Sequence, residues 1–366
     1  MNDLKDVSRL KILEIGGGYF KQEYPERTTL LWNWSRLPEM GEEIAGFATP
    51  DRVAREVRSA RDGKYDVIIA NPVRYSPWHP RYWARQGGNT PTHPWASLSR
   101  QFGVNILRWL KLPVPLIVTD MDDAFGIGPS TVFLLDKAKL FYKRELPVDR
   151  WQILYGAVHP HLPTSRYRHS EKWIKRMEVL RPISMPQFRY HEKWKTAAFP
   201  EKTHDIFFIG AVRHNSTVRS DGLAELRQLE KMGYRIDEPS ERLPYDAFME
   251  RMSKSWIAWS PEGLGWDCNR HYEAAMVQSV PLTNHPTILR HAPLLDGVHG
   301  LYYDAEPGGL VRAAVAALAD KDRLQRIAKA ARDHAFTHHT RKAYCDFILR
   351  SAVDDKQVEA EDRQRL

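Results

Sequence analysis

The stretch SPEGLGWDCNRHYEAAMVQSVPLTN, residues 260–284, decides how the second half of the chain is interpreted. It follows the apolar run WIAW (256–259), which predicts a strand, and runs through a loop with Gly263 and Gly265 into a helix from about Asn269. The closing VPLTN predicts another strand. A strand, a glycine-bearing loop, a helix and a second strand form the repeating unit of a parallel sheet, so the pattern predicts an α/β fold.

Arg270 and Glu273 lie three residues apart at the start of that predicted helix, which places them on one helix face. A cation there can bind a phosphate that the free N–H groups of the loop and the helix dipole also favour. A carboxylate one turn later can accept hydrogen bonds from ribose hydroxyls. The pair therefore favours a nucleotide-diphosphate site, and the alternative is a surface ion pair worth about 0.5 kcal/mol.

Length and composition restrict the class of protein. A chain of 366 residues predicts two domains, and 42% hydrophobic residues indicate a folded globular protein. No stretch approaches ~20 uninterrupted apolar residues, and the N-terminal residues lack a signal-peptide pattern. The two cysteines, Cys268 and Cys345, form no disulfide framework and no zinc-ligand spacing. We therefore expect a cytoplasmic protein without a metal or other cofactor.

The net charge of +8 is unevenly distributed along the chain. Residues 1–200 contain 31 Lys and Arg against 21 Asp and Glu, whereas residues 201–366 contain 23 against 25. Nine of the twelve Trp also lie in the first 200 residues. A basic, aromatic N-terminal half suits a sugar-bearing or acidic acceptor, an anionic membrane surface on which the protein would be peripheral, or, as a weaker alternative, nucleic acid.

Short apolar runs alternate with helical segments in both halves, which predicts two mostly parallel sheets covered on both faces. The runs of the first half are KILEIG, TTLLWN, YDVIIAN, PLIVTD and KLFYK, and those of the second half include DIFFIG, WIAW, VPLTN and GLYYD. We predict an N-terminal domain over 1–190, a C-terminal domain over 191–345, and the end of a crossing helix with a charged tail over 346–366.

Several motifs of the second half resemble the exostosin-like glycosyltransferases. DIFFIGAVRHNSTVR (205–219) is similar to that family's strand, Gly-Ala turn, Arg and Asn, and second Arg. The run from Arg270 to Ala274, followed by Val280-Pro281-Leu282, is similar to its R-x-x-E-A segment. The resemblance implies the GT-B architecture, in which two doubly wound Rossmann-like domains face a central cleft. It also implies an enzyme that moves a sugar from a nucleotide-sugar donor to an acceptor hydroxyl on a sugar, lipid-linked or other molecule.

The resemblance also implies roles for residues of the C-terminal, donor-binding domain. Cations would bind the diphosphate leaving group, Glu273 would bind the ribose, and Glu262 would contact the sugar. Many retaining enzymes of this fold carry Glu-x7-Glu, but Gly265 stands eight residues before Glu273, which favours inversion. The predicted donor residues are Gly210, Arg213, Arg219, Glu262, Gly263, Arg270 and Glu273.

The N-terminal, acceptor-binding domain would supply the general base. Asp122 and Asp123 follow a predicted buried strand and are the candidates, with His159 as a rival on the acceptor side. The glycine loop after the first strand, with Gly17 and Gly18, is expected to line the acceptor side. The Pro- and Trp-rich stretch 71–95, which contains Trp78, predicts a long loop whose aromatic rings stack on sugars.

Four alternatives stay open, and one of them is a catalytically inactive scaffold that keeps the fold and binds a partner. Asp120-Met121-Asp122 fits the D-x-D string of metal-dependent transferases, although a three-letter string is weak and we predict no metal. A nucleotide-sugar epimerase can share the GT-B fold. A nucleic-acid-binding or DNA-modifying glycosyltransferase would use the basic N-terminal half, and its binding would weaken steeply with salt.

Overall fold

The computed structural model describes residues 7–33, 46–72, 102–128, 130–154, 171–187, 189, 191–212 and 216–353. The chain divides into two compact units, of which the first contains Met1–Ile183 with Cys345–Leu366 and the second contains Ser184–Tyr344. Trp78, His159 and Arg213 lie outside the described residues.

Within the described residues, the first unit has one sheet of seven parallel strands in the order β3-β2-β1-β4-β5-β6-β7. The strands are β1 (Ile12–Gly16), β2 (Thr28–Trp32), β3 (Gly46–Phe47), β4 (Val67–Ala70), β5 (Leu116–Asp120), β6 (Leu140–Lys143) and β7 (Leu180–Pro182). The helices are α1 (Tyr19–Glu23), α2 (Pro50–Ser59) and α3 (Glu171–Met177). Every residue of β1, β4, β5 and β6 is buried, as expected for parallel strands that are covered on both faces.

The second unit has, within the described residues, a sheet of five parallel strands in the order β12-β11-β10-β8-β9. The strands are β8 (His204–Phe207), β9 (Ile236–Asp237), β10 (Ser255–Trp259), β11 (Val280–Asn284) and β12 (Leu301–Tyr303). The helices are α4 (Lys193–Thr196), α5 (Thr217–Lys231), α6 (Tyr245–Ser253), α7 (Asn269–Met276), α8 (Gly309–Leu318) and α9 (Lys321–His338).

Trp259 fills the centre of the core of the second unit and is fully buried. Its indole N–H donates to the hydroxyl of Tyr303 at 2.9 Å, which satisfies its only polar atom. Gly222 of α5 packs on the indole ring, and a Cβ at this position would lie 2.2 Å from the ring. The glycine therefore lets α5 approach the sheet over the largest side chain of the core.

The last helix, α10 (Arg341–Val353), ends in the first unit. Ile348 and Leu349 are fully buried there, and the Phe347 ring meets the Tyr142 ring edge-on with centroids 5.6 Å apart. The Lys139 ammonium donates to the Ala352 carbonyl at 2.8 Å. The C-terminal part of α10 thus belongs to the core of the first unit, together with the N-terminal strands.

The predicted α/β class with two parallel sheets is confirmed. The predicted strand runs correspond to strands of the structure, whereas the two-residue β3 and the three-residue β7 were not predicted. Among the described residues, no helix combines the length and the apolar character needed to cross a membrane.

Candidate functional site

The sheet of the second unit reverses its direction of winding between β8 and β10. β9 lies on one side of β8, whereas β10, β11 and β12 follow on the other side. Ligands of open α/β sheets bind outside the carboxyl ends of the strands at such a reversal. The described segments that leave β8 and β10 at this point are 208–212 and 260–268, and they contain Gly210, Glu262 and Gly263 of the predicted donor residues.

Arg219 lies in the first turn of α5 and joins these two segments. Its guanidinium donates to the Ala211 carbonyl at 2.9 Å and to the Pro261 carbonyl at 3.4 Å. Gly263 makes room for it, because a Cβ there would lie 2.9 Å from Arg219 Nη2. The side chain is buried, and its Nε has no hydrogen-bond partner within the described residues.

Arg270 lies in the first turn of α7 and approaches the other glycine of the site. Its Nη2 is 2.9 Å from the position that a Cβ on Gly210 would take, and its guanidinium carbon lies 5.5 Å from the centre of the Phe208 ring. Nε and Nη1 are buried and have no hydrogen-bond partner in the described part of the chain. Burial, and then the charge of Arg270, lower the pKa of Arg219. Two neighbouring cations whose buried donors have no partner among the described residues can bind an anion.

Two carboxylates flank this cation pair. Burial raises the pKa of Glu273 to about 7, and the nearby charge of Arg270 opposes that rise. Glu262 is held by Asn284 at the end of β11: its backbone N–H donates to Asn284 Oδ1 at 3.0 Å, and its Oε2 accepts from Asn284 Nδ2 at 3.1 Å. The second carboxylate is therefore fixed in position by a neighbouring strand.

His271 shapes the loop beneath the cations, and the sequence did not single it out. Its Nε2 donates to the Trp266 carbonyl at 2.8 Å, and its Nδ1 forms a hydrogen bond with the Ser260 hydroxyl at 2.8 Å. Trp266 in turn donates from its indole N–H to the Asn284 carbonyl at 3.0 Å. The only sequence signal for this network of hydrogen bonds is the position of His271 directly after Arg270 in R-H-Y-E.

Cys268 caps α7 beside the same site. Its Sγ lies 3.7 Å from Ser260 Oγ and 3.8 Å from His271 Nδ1. Burial alone would raise the pKa of this thiol, but interaction with His271, and then with Arg270, lowers it to about 6. The thiol is therefore expected to be reactive at neutral pH.

In the first unit, the glycine loop is held by a buried carboxyl that the sequence analysis missed. Gly18 adopts a left-handed conformation with φ of 82°, and the chain then enters α1. Glu14, which is 2% exposed, accepts from the Tyr19 N–H at 2.7 Å and from the Lys21 N–H at 2.9 Å. Burial raises its pKa to about 7. The sequence signal was a carboxyl residue, Glu14, between apolar residues of the predicted strand KILEIG.

The two candidate bases follow β5. The Asp122 N–H donates to Asp120 Oδ1 at 3.0 Å, which makes the local turn, and Asp123 pairs with the buried guanidinium of Arg144. Asp120 itself accepts from the buried ammonium of Lys143 at 3.1 Å. The first aspartate of the D-x-D string, Asp120, therefore forms an ion pair with Lys143. Within the described residues, no cluster of three or more His, Cys, Asp or Glu has an arrangement that could hold a metal ion.

No protein-family model matches the chain, and no curated protein matches it. Solved structures do. HepE of Anabaena, crystallised with UDP, superimposes with a TM-score of 0.50 and 12% identity over 93% of this chain and 98% of its own. The lipopolysaccharide outer core galactosyltransferase WaaB superimposes with a TM-score of 0.50 and 10% identity over 95% of this chain and 100% of its own.

The chain has the GT-B fold. This confirms the predicted fold class, and the identity is too low to carry more than the fold. In this GT-B chain, the structure brings Gly210, Arg219, Gly263 and Arg270 together at one strand reversal, with Glu262 and Glu273 beside them. Gly17, Gly18, Asp122 and Asp123 lie in the first unit, at the carboxyl ends of β1 and β5.

Proposed function

We propose that the protein is a glycosyltransferase that uses a nucleotide-diphosphate sugar and binds its diphosphate between Arg219 and Arg270. The single observation that carries the proposal is the pair of guanidinium groups at the strand reversal, with buried N–H donors that have no partner among the described residues. An unsatisfied buried donor costs about 1–3 kcal/mol, and more when it is charged. A bound diphosphate would satisfy these donors and neutralise both cations.

The chemistry of sugar transfer requires such a pair. When the bond between the sugar and the diphosphate breaks, negative charge develops on the leaving oxygen, and donors placed in advance lower the energy of that transition state. Arg219 is held by two carbonyls and needs no reorganisation. Arg270 keeps two nitrogens for the ligand. The free N–H groups at the start of α7 would add to this stabilisation.

Glu273 would accept hydrogen bonds from the ribose hydroxyls. It stands one turn along α7 from Arg270 on the same helix face, so a nucleotide whose phosphate binds Arg270 could place its ribose at this carboxyl. Glu262, oriented by Asn284, would contact the transferred sugar. The similarity to HepE, which was crystallised with UDP, makes UDP the first nucleotide to test.

The finer parts of the proposal rest on the sequence. We propose an inverting, metal-independent reaction because Gly265 occupies the position of the first carboxylate of Glu-x7-Glu, and we keep the exostosin-like relationship as the hypothesis that groups these features. The first unit would bind an acceptor with a free hydroxyl, on a sugar or on a lipid-linked carrier at an anionic membrane surface. Asp122 is proposed as its general base, with Asp123 as the alternative.

A panel of UDP, GDP, CDP, ADP and TDP tests the central claim by thermal shift and calorimetry on the full chain. One nucleotide should raise the stability by about 2.7 kcal/mol at 100 times its Kd. Incubation with the matching nucleotide sugar should release the nucleoside diphosphate faster when a hydroxyl acceptor is added. If the nucleoside diphosphate is released equally fast with and without an acceptor, the epimerase alternative is favoured. If none of the five nucleotides binds, the proposal is refuted.

A further inference from the structure

Two asparagines flank the end of β1, at the strand reversal of the first sheet. β1 lies between β2 and β4, and the order of the strands changes direction there. Asn33 follows β2, and its backbone N–H donates to the Gly16 carbonyl at 3.1 Å. Asn71 follows β4, and its backbone N–H donates to the Ile15 carbonyl at 2.9 Å. Both residues therefore extend the sheet beyond the last strand residues on either side of β1.

A side-chain hydrogen bond connects the two residues across β1. Asn33 Nδ2 donates to the Asn71 carbonyl at 2.9 Å, and this bond fixes which way the Asn33 amide faces. Gly16 lies beneath them, and a Cβ at this position would come within 3.3 Å of the Asn71 Cβ. We name this arrangement of Asn33 and Asn71 above Gly16 the amide pair.

The amide pair leaves one acceptor and one donor unused. Asn33 is 1% exposed, and its Oδ1 is buried with no hydrogen-bond partner within the described residues. Asn71 Nδ2 is buried and unpartnered in the same part of the structure. Buried polar side-chain atoms almost always have a partner, so two such atoms on hydrogen-bonded residues at a strand reversal indicate a ligand.

The chemistry of the two atoms restricts that ligand. A hydroxyl group both donates and accepts, so it can donate to Asn33 Oδ1 and accept from Asn71 Nδ2, whereas a phosphate can only accept. The Glu14 carboxyl also lies close, with Oε1 3.6 Å from the position of a Cβ on Gly16, and it disfavours an anion. A neutral polyhydroxy compound fits this position better than a nucleotide phosphate.

We infer that the amide pair is the acceptor subsite and binds a hydroxyl group of a neutral sugar through Asn33 Oδ1 and Asn71 Nδ2. The inference rests on the proposed function, because it identifies that sugar with the acceptor of the transfer reaction. It makes Asn33 and Asn71 binding residues and assigns them no step in the chemistry.

Asn71→Ala is the sharpest variant, because it removes the unused donor and keeps the backbone carbonyl that accepts from Asn33. Asn105→Ala is the matched control, since it removes another asparagine amide from the first unit. The probes are methyl glucoside, methyl galactoside and methyl mannoside, titrated by saturation-transfer NMR against the full chain. Inorganic phosphate serves as the anionic probe, and UDP binding is measured on each protein.

At least one glycoside should bind the parent and Asn105→Ala equally and Asn71→Ala roughly 3- to 10-fold more weakly, which corresponds to the loss of one neutral hydrogen bond. Without ligand, Asn71→Ala should melt at the parent temperature or above it, because its amide donor has no partner to lose. Equal glycoside affinity in Asn71→Ala, no binding by any of the three glycosides, their displacement by phosphate, or a lower melting temperature would each overturn the inference. If the parent binds none of the five nucleoside diphosphates, the proposed function is refuted instead.

Discussion

Arg270→Met tests whether the cation pair binds a ligand and lowers the free energy of unfolding of the ligand-free protein. The methionine retains an apolar stem to pack on Phe208 but removes the charge. In the free protein, the variant loses two buried nitrogens that have no partner among the described residues, and it relieves the repulsion that contributes to the lowered pKa of Arg219. We therefore expect the free energy of unfolding to stay the same or to rise.

UDP affinity should change in the opposite sense. A hydrogen bond to a charged group contributes about 1.5–3 kcal/mol, so Arg270→Met should weaken UDP binding by roughly 10- to 150-fold. Binding of the nucleoside uridine should change little, because it has no phosphate. Isothermal titration gives both affinities, and differential scanning calorimetry gives the unfolding free energy.

Arg251→Met is the matched control in the same unit. Arg251 Nε and Nη2 donate to the buried carboxylate of Asp237 at 2.7–3.0 Å, so this arginine has a structural partner. Its removal should destabilise the protein and leave UDP affinity unchanged. If Arg270→Met behaves like Arg251→Met, with lower stability and parental UDP affinity, the assignment of the cation pair to a diphosphate is wrong.

Four further predictions concern Glu273 and Cys268 beside the cation pair, the candidate base Asp122, and the need for a metal ion. Because the folded pKa of Glu273 is raised to about 7, its contribution to stability is present below pH 4.5 and is lost as the pH rises through 7. Glu273→Gln should remove about 3 kcal/mol of that pH dependence from urea unfolding curves, and an unchanged slope would show that the carboxyl is solvated. Asp122→Asn should keep UDP affinity and slow transfer by about 100-fold, and a parental rate would exclude it as the base. EDTA should leave UDP binding and turnover unchanged, and activity that chelation abolishes and manganese restores would reverse the metal-independent mechanism. Iodoacetamide should label Cys268 much faster than the buried Cys345, and UDP should protect it; equal labelling rates by mass spectrometry would contradict the lowered pKa of Cys268.

The sheets could be predicted because their strands are short continuous apolar runs. VIIA and LIVT are buried along their whole length, so the sequence pattern and the burial coincide. The pairing of Arg270 with Gly210, and of Arg219 with Gly263, could not be predicted in the same way. Each pair joins the segment that leaves one strand to a helix or loop from another strand, and only the strand order β10-β8 brings them together.

The polar residues that support both sites were missed for a shared physical reason. Asn33, Asn71 and Asn284 each end or directly follow an apolar run, where the residue type is read as a turn former. In the structure, these side chains have tertiary roles: Asn284 orients Glu262, and Asn33 reaches the carbonyl of Asn71. In this chain, an asparagine at the carboxyl end of a buried parallel strand therefore indicates a candidate site residue, and interpreting it only as a turn former misses that role.

Under the proposed function, the half of the chain with the larger net charge is not the half that binds the charged donor. The first 200 residues are strongly basic, yet the ligand site that we infer there consists of two neutral amides beside a buried carboxyl. The second half is close to neutral, yet the two arginines with unpartnered nitrogens lie there. A diphosphate is recognised by a few desolvated cations at short range, because the interaction of exposed charges is screened over about 10 Å at ordinary ionic strength. We therefore propose that the surplus of basic residues in the first half lies around the acceptor, where it would attract an anionic surface at longer range. We propose that Arg219 and Arg270 bind the diphosphate of the donor.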